Sequence, residues 1–249
     1  YNTQKAYNQA EKIIHEERKE LFNYKEELPS QQADKLLNSV IEKGSSILQF
    51  DQESAYFDDA LFMVGKAFYY QQNYSKALRK FLELEAVANS DFELENNLWI
   101  GKSEIKLRNF EKGMEILDGV KAEAVEEEKP EIISDAYISQ ISYRLYREDF
   151  EEAIRLMNEL IGVSEDEKLN ARVSYELGKV YLTIEDLDNA AEAFAAVKNY
   201  SPDYEIEYES SLEYAKTLKE MGKNEESLNL FYEMRAEDKY KEHFDAIDL

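Results

Sequence analysis

Few side chains in this sequence of 249 residues have the types that catalysis or metal binding requires. The only histidines, His15 and His243, lie near opposite ends, so a histidine-based triad or a histidine-rich metal site would need an unusual fold-back. Cysteine is absent, which removes disulfide and thiolate chemistry. The sequence also has no glycine-rich phosphate loop, no His-Glu-x-x-His motif and no spaced aspartate loop. We therefore expect no catalytic residue, no metal and no cofactor.

Paired carboxylates are the remaining candidates for acid–base chemistry. Neighbouring acids such as Asp58-Asp59 and Glu225-Glu226 are abundant, and a glycosidase needs only two carboxyl groups. However, the sequence has 54 acidic and 30 basic residues, and most carboxylates on amphipathic helices lie on solvated faces. The formal net charge of -24 also repels nucleic acid and anionic lipid headgroups. We therefore expect protein partners and no nucleic acid.

Regularly spaced lysines are the most informative charged residues. The sequence contains a repeat of five copies, and lysine occupies the same position in four of them. In the remaining copy that position is Ser142. In a chain with an excess of acids, such a row of lysines would pair with carboxylates of a bound segment. Aromatic residues flank the row, and aromatic anchors beside charges are typical of peptide-binding surfaces. The predicted partner-binding groove comprises Lys66, Lys102, Lys179, Lys216, Phe62, Tyr69, Tyr70, Tyr146 and Tyr175.

A second interpretation of the same lysines needs no ligand. Each lysine would pair with an acid on a neighbouring helix and hold the helices together. The tyrosines divide in the same way, since some fill the core and others are better candidates for contact with a partner. The residue types alone leave both interpretations open.

Helix pairs must position these residues. Gly65 and Ala77 are small enough to let two helices approach closely, and aromatic side chains fill the remaining space. Comparable spacing recurs around positions 101, 141, 178 and 215, which gives a repeat slightly longer than the ~34 residues of the standard pattern. The pattern resembles the tetratricopeptide repeat, and its first copy consists of Leu61, Val64, Gly65, Phe68, Tyr74, Ala77, Phe81 and Leu84.

The resemblance implies an all-α fold, a right-handed α-solenoid of tetratricopeptide-type helix pairs whose first helices line a concave face. We expect residues 1–53 to form a degenerate N-terminal helical pair that caps the solenoid, with one helix over 1–25 and another over 31–50. Residues 54–249 would form about five repeats. A charge run that ends in Pro130 predicts a hinge near 126–130.

Two stretches carry a narrower resemblance. The run Ser54–Tyr70, followed by Tyr74–Ala77 and Phe81–Leu84, is similar to the opening repeat of bacterial outer-membrane tetratricopeptide lipoproteins, the BamD-like and Tol-Pal-associated groups. The start, Tyr1–Lys12, resembles the segment behind a lipidated cysteine in such proteins. This resemblance implies a periplasmic scaffold at the bacterial outer membrane, a subunit or assembly factor of a membrane-associated complex. It would touch the membrane only through a lipid anchor outside this sequence.

Two other functions fit the same pattern. One is a cytoplasmic co-chaperone or adaptor whose lysines clamp acidic peptide termini. The other is a non-catalytic part of an enzyme subunit whose active site lies in a missing extension. A leader with a lipid-attachment cysteine, its absence, or an extra domain in the full reading frame would distinguish these functions.

Overall fold

The computed structural model describes residues 2–51, 53–87 and 90–243 of the chain. It divides into two compact units, unit 1 (Tyr1–Tyr146) and unit 2 (Arg147–Leu249). In the described residues the regular structure is entirely helical. Unit 1 contains α1 (Asn2–Glu17), α2 (Gln31–Phe50), α3 (Phe57–Tyr70), α4 (Tyr74–Glu85), α5 (Glu93–Lys106), α6 (Phe110–Glu126) and α7 (Pro130–Tyr146). Unit 2 contains α8 (Phe150–Val163), α9 (Glu167–Thr183), α10 (Leu187–Ala196), α11 (Tyr204–Glu220), α12 (Asn224–Ala236) and the 3-10 helices Val197–Asn199 and Asp238–His243.

Consecutive helices pack against one another within each unit. In unit 1 the odd-numbered helices also contact each other in order, α1 with α3, α3 with α5 and α5 with α7, so they form one layer. In unit 2 the helices α9 and α11 make the corresponding contact. We call the layer of odd-numbered helices the inner face of its unit. No described helix is both long enough and apolar enough to cross a membrane.

We call the repeat positions 65, 101, 141, 178 and 215 the anchor positions. Small residues at most of them permit this packing. A Cβ atom on Gly65 would lie 2.5 Å from the ring of Phe81, and a Cβ atom on Gly178 would lie 2.5 Å from the ring of Phe194. Such separations are shorter than van der Waals contact, so a side chain at either glycine would push the second helix of the pair away. The same steric requirement therefore shapes a repeat in each unit.

The turns repeat with the same register. A residue with positive φ lies in the turn after α3, α5, α7, α9 and α11, seven positions after the anchor of its repeat, as 72 does after 65. Only the last of these residues is a glycine, although other residues adopt this left-handed conformation at a cost of roughly 1–2 kcal/mol. The packing of the helices therefore imposes this turn geometry. The residues with positive φ in these five turns are Gln72, Arg108, Glu148, Glu185 and Gly222.

The N-terminal region differs from its prediction in one respect. The second predicted helix is confirmed as α2, but the first ends at Glu17 and not near residue 25. Residues 18–30, which we call the N-terminal segment, contain no regular helix. Most of these residues are good helix formers, such as Arg, Lys, Glu and Leu, but contacts with distant helices outweigh this local preference.

The boundary between the compact units does not coincide with the predicted boundaries. Residues 1–53 belong to the same unit as α3–α7, and the predicted hinge at 126–130 lies inside unit 1, where α6 and α7 pack together. Pro130 is the first residue of α7, a position where its missing N–H costs nothing. The units divide between Tyr146 and Arg147, so the third predicted repeat contributes α7 to one unit and α8 to the other. The last six residues of the predicted solenoid, 244–249, lie outside the described residues.

Candidate functional site: the inner faces of the two units

The inner face of unit 1 contains a cavity of about 760 Å³. Every helical residue that lines it belongs to α1, α3, α5 or α7, and the other lining residues belong to the N-terminal segment. The first helices of the repeats thus form the floor of the cavity, and the chain's own N-terminal segment forms one of its walls. We refer to it as the unit 1 cavity.

Lys66 lies in a cage of aromatic rings beside a carboxylate. Its Nζ atom is 3.3 Å from Glu11 Oε1 and lies 4.7, 5.2 and 5.1 Å from the ring centroids of Tyr7, Phe62 and Trp99. Burial lowers the pKa of Lys66, although the charge of Glu11 opposes that change. Burial alone would raise the pKa of Glu11, but the charge of Lys66 and the hydroxyl of Tyr7 lower it below its ordinary value. Lys66 therefore joins α1 to α3 and α5.

Lys102 makes a similar connection one repeat further along. Its Nζ atom is 3.6 Å from Asp135 Oδ2 on α7 and lies 4.3 Å from the ring centroid of Trp99. Trp99 thus contacts the ammonium groups of both lysines, an arrangement that contributes roughly 0.5–2 kcal/mol per pair. In unit 1, therefore, the lysines pair with acids on neighbouring helices, as the second interpretation of the sequence predicts.

Three of the predicted groove aromatics are buried in unit 1. Phe62, Tyr69 and Tyr70 expose only 8%, 3% and 6% of their surface. Tyr69 packs edge-on against Trp99 with ring centroids 5.0 Å apart, and the Tyr70 hydroxyl donates a hydrogen bond of 3.3 Å to Glu11. All three rings also line the unit 1 cavity, with most of their surface covered by α1 and the neighbouring helices, and their role in partner binding stays a prediction.

The N-terminal segment lies on the same face and inserts an aromatic ring. The Tyr24 ring stacks on Tyr146 with centroids 4.5 Å apart and meets Tyr143 edge-on at 5.9 Å. The Nζ atom of Lys106 lies 4.8 Å from the centroid of the Tyr24 ring. Tyr146, a predicted groove residue that is 42% exposed, therefore contacts a non-helical piece of the chain itself.

Polar groups of the inner face bind the backbone of the N-terminal segment. Lys106 Nζ donates to the carbonyl of Tyr24, and Gln72 Nε2 donates to the carbonyl of Glu26 over 2.8 Å. The Tyr24 hydroxyl donates over 3.2 Å to the carbonyl of Ile105. Lys106 Nζ also lies 3.3 Å from Glu26 Oε1, and burial lowers the pKa of Lys106 although this carboxylate opposes the change.

The inner face of unit 2 carries its lysines differently. Lys179 Nζ lies 2.9 Å from Glu176, and Lys216 Nζ lies 2.8 Å from Glu213, three residues earlier on the same helix in each case. Both lysine side chains are 49% exposed. Lys179 also lies 5.2 Å from the ring centroid of Tyr175, a predicted groove residue whose pKa is raised by burial and by Glu209. These lysines leave half of their surface to solvent.

Comparison with known proteins agrees with this geometry. Residues 139–204 match the family model of the tetratricopeptide repeat. This stretch is similar to tetratricopeptide repeat sequence. No curated protein matches the chain at a significant level.

Solved structures extend the fold likeness beyond the matched residues. A crystal structure of the MamA protein is 16% identical and superposes with a TM-score of 0.50, covering 76% of this chain and 97% of its own. A putative kinesin light chain from Podosopora anserina, with nearly identical tetratricopeptide-like repeats, is 13% identical with a TM-score of 0.50, covering 72% and 93%. At such identities the likeness shows the fold alone. The all-α class of tetratricopeptide-type helix pairs is thereby confirmed.

The carboxylate pairs take structural positions in these repeats. Asp58 and Asp59 lie in the first turn of α3, and Glu225 and Glu226 lie in the first turn of α12. Negative charge at a helix N-terminus interacts favourably with the helix dipole. His15 lines the unit 1 cavity, whereas the side chain of His243 lies outside the described part of the molecule. Among the residues that the structure describes, no three His, Cys, Asp or Glu side chains are arranged to hold a metal ion.

Several residues at the inner face of unit 1 were not predicted. Trp99 and Lys106 flank Lys102 at helical spacing, three residues before it and four after it, so the periodicity of α5 contained a signal for both. Tyr24 and Glu26 had no comparable signal. Their contacts join residues about eighty positions apart, and no local pattern encodes such a pairing.

Proposed function

We propose that this chain is a non-catalytic protein-binding scaffold whose inner helical faces hold extended segments of a partner. One observation carries the proposal. The inner face of unit 1 already holds a non-helical stretch of polypeptide, the N-terminal segment, through ring stacking, ion pairing and hydrogen bonds to its backbone. Tetratricopeptide-repeat proteins generally mediate protein–protein interaction, so the observed packing and the repeat support the same role.

The charge distribution supports this proposal. The chain carries a net charge of -24, and its half-exposed lysines Lys179 and Lys216 stand out from that negative surface. The inner face of unit 2 would attract an acidic partner segment through these cations. Such complementarity favours a particular orientation and faster association more than it raises affinity.

A finer proposal concerns location. The likeness of Ser54–Leu84 to outer-membrane tetratricopeptide lipoproteins supports a scaffold in the bacterial envelope, tethered by a lipid on a cysteine that precedes this sequence. There it would serve as a subunit or assembly factor of a membrane-associated complex. Metabolic labelling of the full gene product with a palmitate analogue tests this location. Label in the membrane fraction is expected, and an unlabelled protein in the cytoplasmic fraction would overturn the proposal.

Photo-cross-linking in living cells tests the binding function. A photoreactive phenylalanine replaces Ser139, which lines the unit 1 cavity from α7. The matched control replaces Glu115, an exposed residue of α6 in the same unit but outside the inner face. We expect a discrete adduct with another protein from position 139 and none from position 115. Adducts from the control position alone, or from neither position, would overturn the proposed function.

A further inference from the structure

The contacts of the N-terminal segment define a recognition pattern. An aromatic ring, that of Tyr24, enters between Tyr146 and Lys106, and a carboxylate two residues later, that of Glu26, pairs with Lys106. The chain bends at Tyr24 and Lys25, and the ring of Tyr24 and the carboxylate of Glu26 both reach Lys106. The inner face therefore contacts both members of an aromatic-x-acidic pair through the same lysine.

The backbone contacts require a non-helical ligand but no particular sequence. Lys106 and Gln72 donate to the carbonyls of Tyr24 and Glu26, the two residues of the pair. Any peptide chain offers such carbonyls where it is not helical, so these hydrogen bonds supply affinity while the side-chain positions supply specificity.

The N-terminal segment is bound less completely than the elements on either side of it. None of residues 18–30 is buried, and Leu28 exposes 69% of its surface. By contrast, α1 is anchored by Ala10 and Ile14, and α2 by Ala33 and Leu37, all of which are buried. The segment can therefore lift from the face by local opening while α1 and α2 remain in the core.

From these contacts we propose that the inner face of unit 1 binds a non-helical partner segment with a tyrosine followed at the second residue by a glutamate. The N-terminal segment is an internal competitor for that site, and a partner binds by displacing it. This inference rests on the proposed function and adds to it the chemistry of the partner and the means of regulation.

A peptide-binding experiment tests the inference with the full chain. The probe is a fluorescent peptide with the sequence of residues 21–30, added to the unaltered protein and to a Tyr24→Ala, Glu26→Ala double variant. A tethered competitor acts at an effective concentration near millimolar, so we expect the variant to bind the peptide at least about tenfold more tightly. A probe in which alanine replaces the tyrosine and glutamine replaces the first glutamate should lose at least about tenfold in affinity.

Further controls separate the possible outcomes. Circular dichroism checks that the double variant is folded, and Lys106→Met in its background should abolish binding. Absence of peptide binding to a folded double variant, or equal affinity for the unaltered protein, would overturn the inference. Dimerisation of the unaltered protein by exchange of the segment, seen in light scattering, would assign the site to a second copy and also overturn it. If position 139 gives an adduct but the peptide does not bind, the proposed function is supported and this inference is overturned.

Discussion

The inner faces of units 1 and 2 carry lysine at the same position of the repeat but use it in different ways. In unit 1, Lys66 and Lys102 are each only 15% exposed, pair with acids on neighbouring helices and contact Trp99. In unit 2, Lys179 and Lys216 are 49% exposed and pair with acids three residues earlier on their own helices. The difference arises from what lies over the face, because α1 and the N-terminal segment cover unit 1.

This comparison shows that a residue's place in a repeat determines the direction of its side chain but not its role. A covered lysine loses its contacts with water, and charged and aromatic partners must compensate for that loss. Removing one member of such a pair is therefore costly. An exposed lysine keeps its hydration, so its pair adds little to stability and remains available to a ligand. The following predictions test whether the two faces differ in this way.

The largest expected effect is the loss of the ring shared by the unit 1 lysines. Trp99→Ala removes a side chain that is 6% exposed and leaves a cavity beneath both ammonium groups. We expect the free energy of unfolding to fall by about 3–5 kcal/mol, measured by urea denaturation followed by circular dichroism. The matched change in unit 2, Tyr175→Ala, should cost about 1 kcal/mol. Equal losses would contradict the proposed difference between the faces.

A smaller effect is expected from the carboxylate that faces Lys66. Glu11→Gln keeps the shape of the side chain but leaves the ammonium group without its counter-charge. The free energy of unfolding should fall by roughly 1–3 kcal/mol. Trp99 is the only tryptophan in the sequence, so its fluorescence reports this unfolding in unit 1. Glu176→Gln beside exposed Lys179 is the control and should cost less than about 1 kcal/mol; a larger loss there would reverse the comparison.

The contribution of Glu11 should also depend on pH. Lys66 and Tyr7 hold the folded-state pKa of Glu11 below its ordinary value of 4.5. The unfolded state therefore binds more protons in this range, so the stabilisation is complete above pH 4.5 and is lost as pH falls through the folded-state value. In urea titrations the gap between the unaltered protein and Glu11→Gln should narrow below pH 4.5. A gap that stays constant down to pH 3 would show that the charge of Glu11 is not the cause.

The smallest effect is expected in unit 2. Lys179→Glu and Lys216→Glu each place like charges three residues apart on an exposed helix face, which destabilises a helix by about 0.2–0.5 kcal/mol. Thermal unfolding followed by circular dichroism should therefore change little for either variant. Lys66→Glu, which would face Glu11 at a covered position, is the contrasting variant and should lose much more. Similar losses at all three positions would mean that the unit 2 lysines are also structural.

The sequence by itself determined the helix pairs, their register and the position of the lysines. Apolar residues recur at helical spacing, and small residues at positions such as 65 and 178 allow close packing, so these features depend on neighbours a few residues away. The repeat then places Lys66 and Lys179 at equivalent positions. This local information was sufficient for the fold class and for the recurrence of the inner-face residues.

Only the tertiary structure decided which of those residues are covered. The end of α1 at Glu17, the return of the N-terminal segment across the inner face and the pairing of Glu26 with Lys106 all join residues far apart in the sequence. Such contacts arise from the summed packing, hydrogen bonding and charge of several helices, and no single periodic pattern encodes them. For that reason the sequence placed all four lysines in one predicted groove, whereas the structure covers the two lysines of unit 1 and leaves the two of unit 2 half exposed.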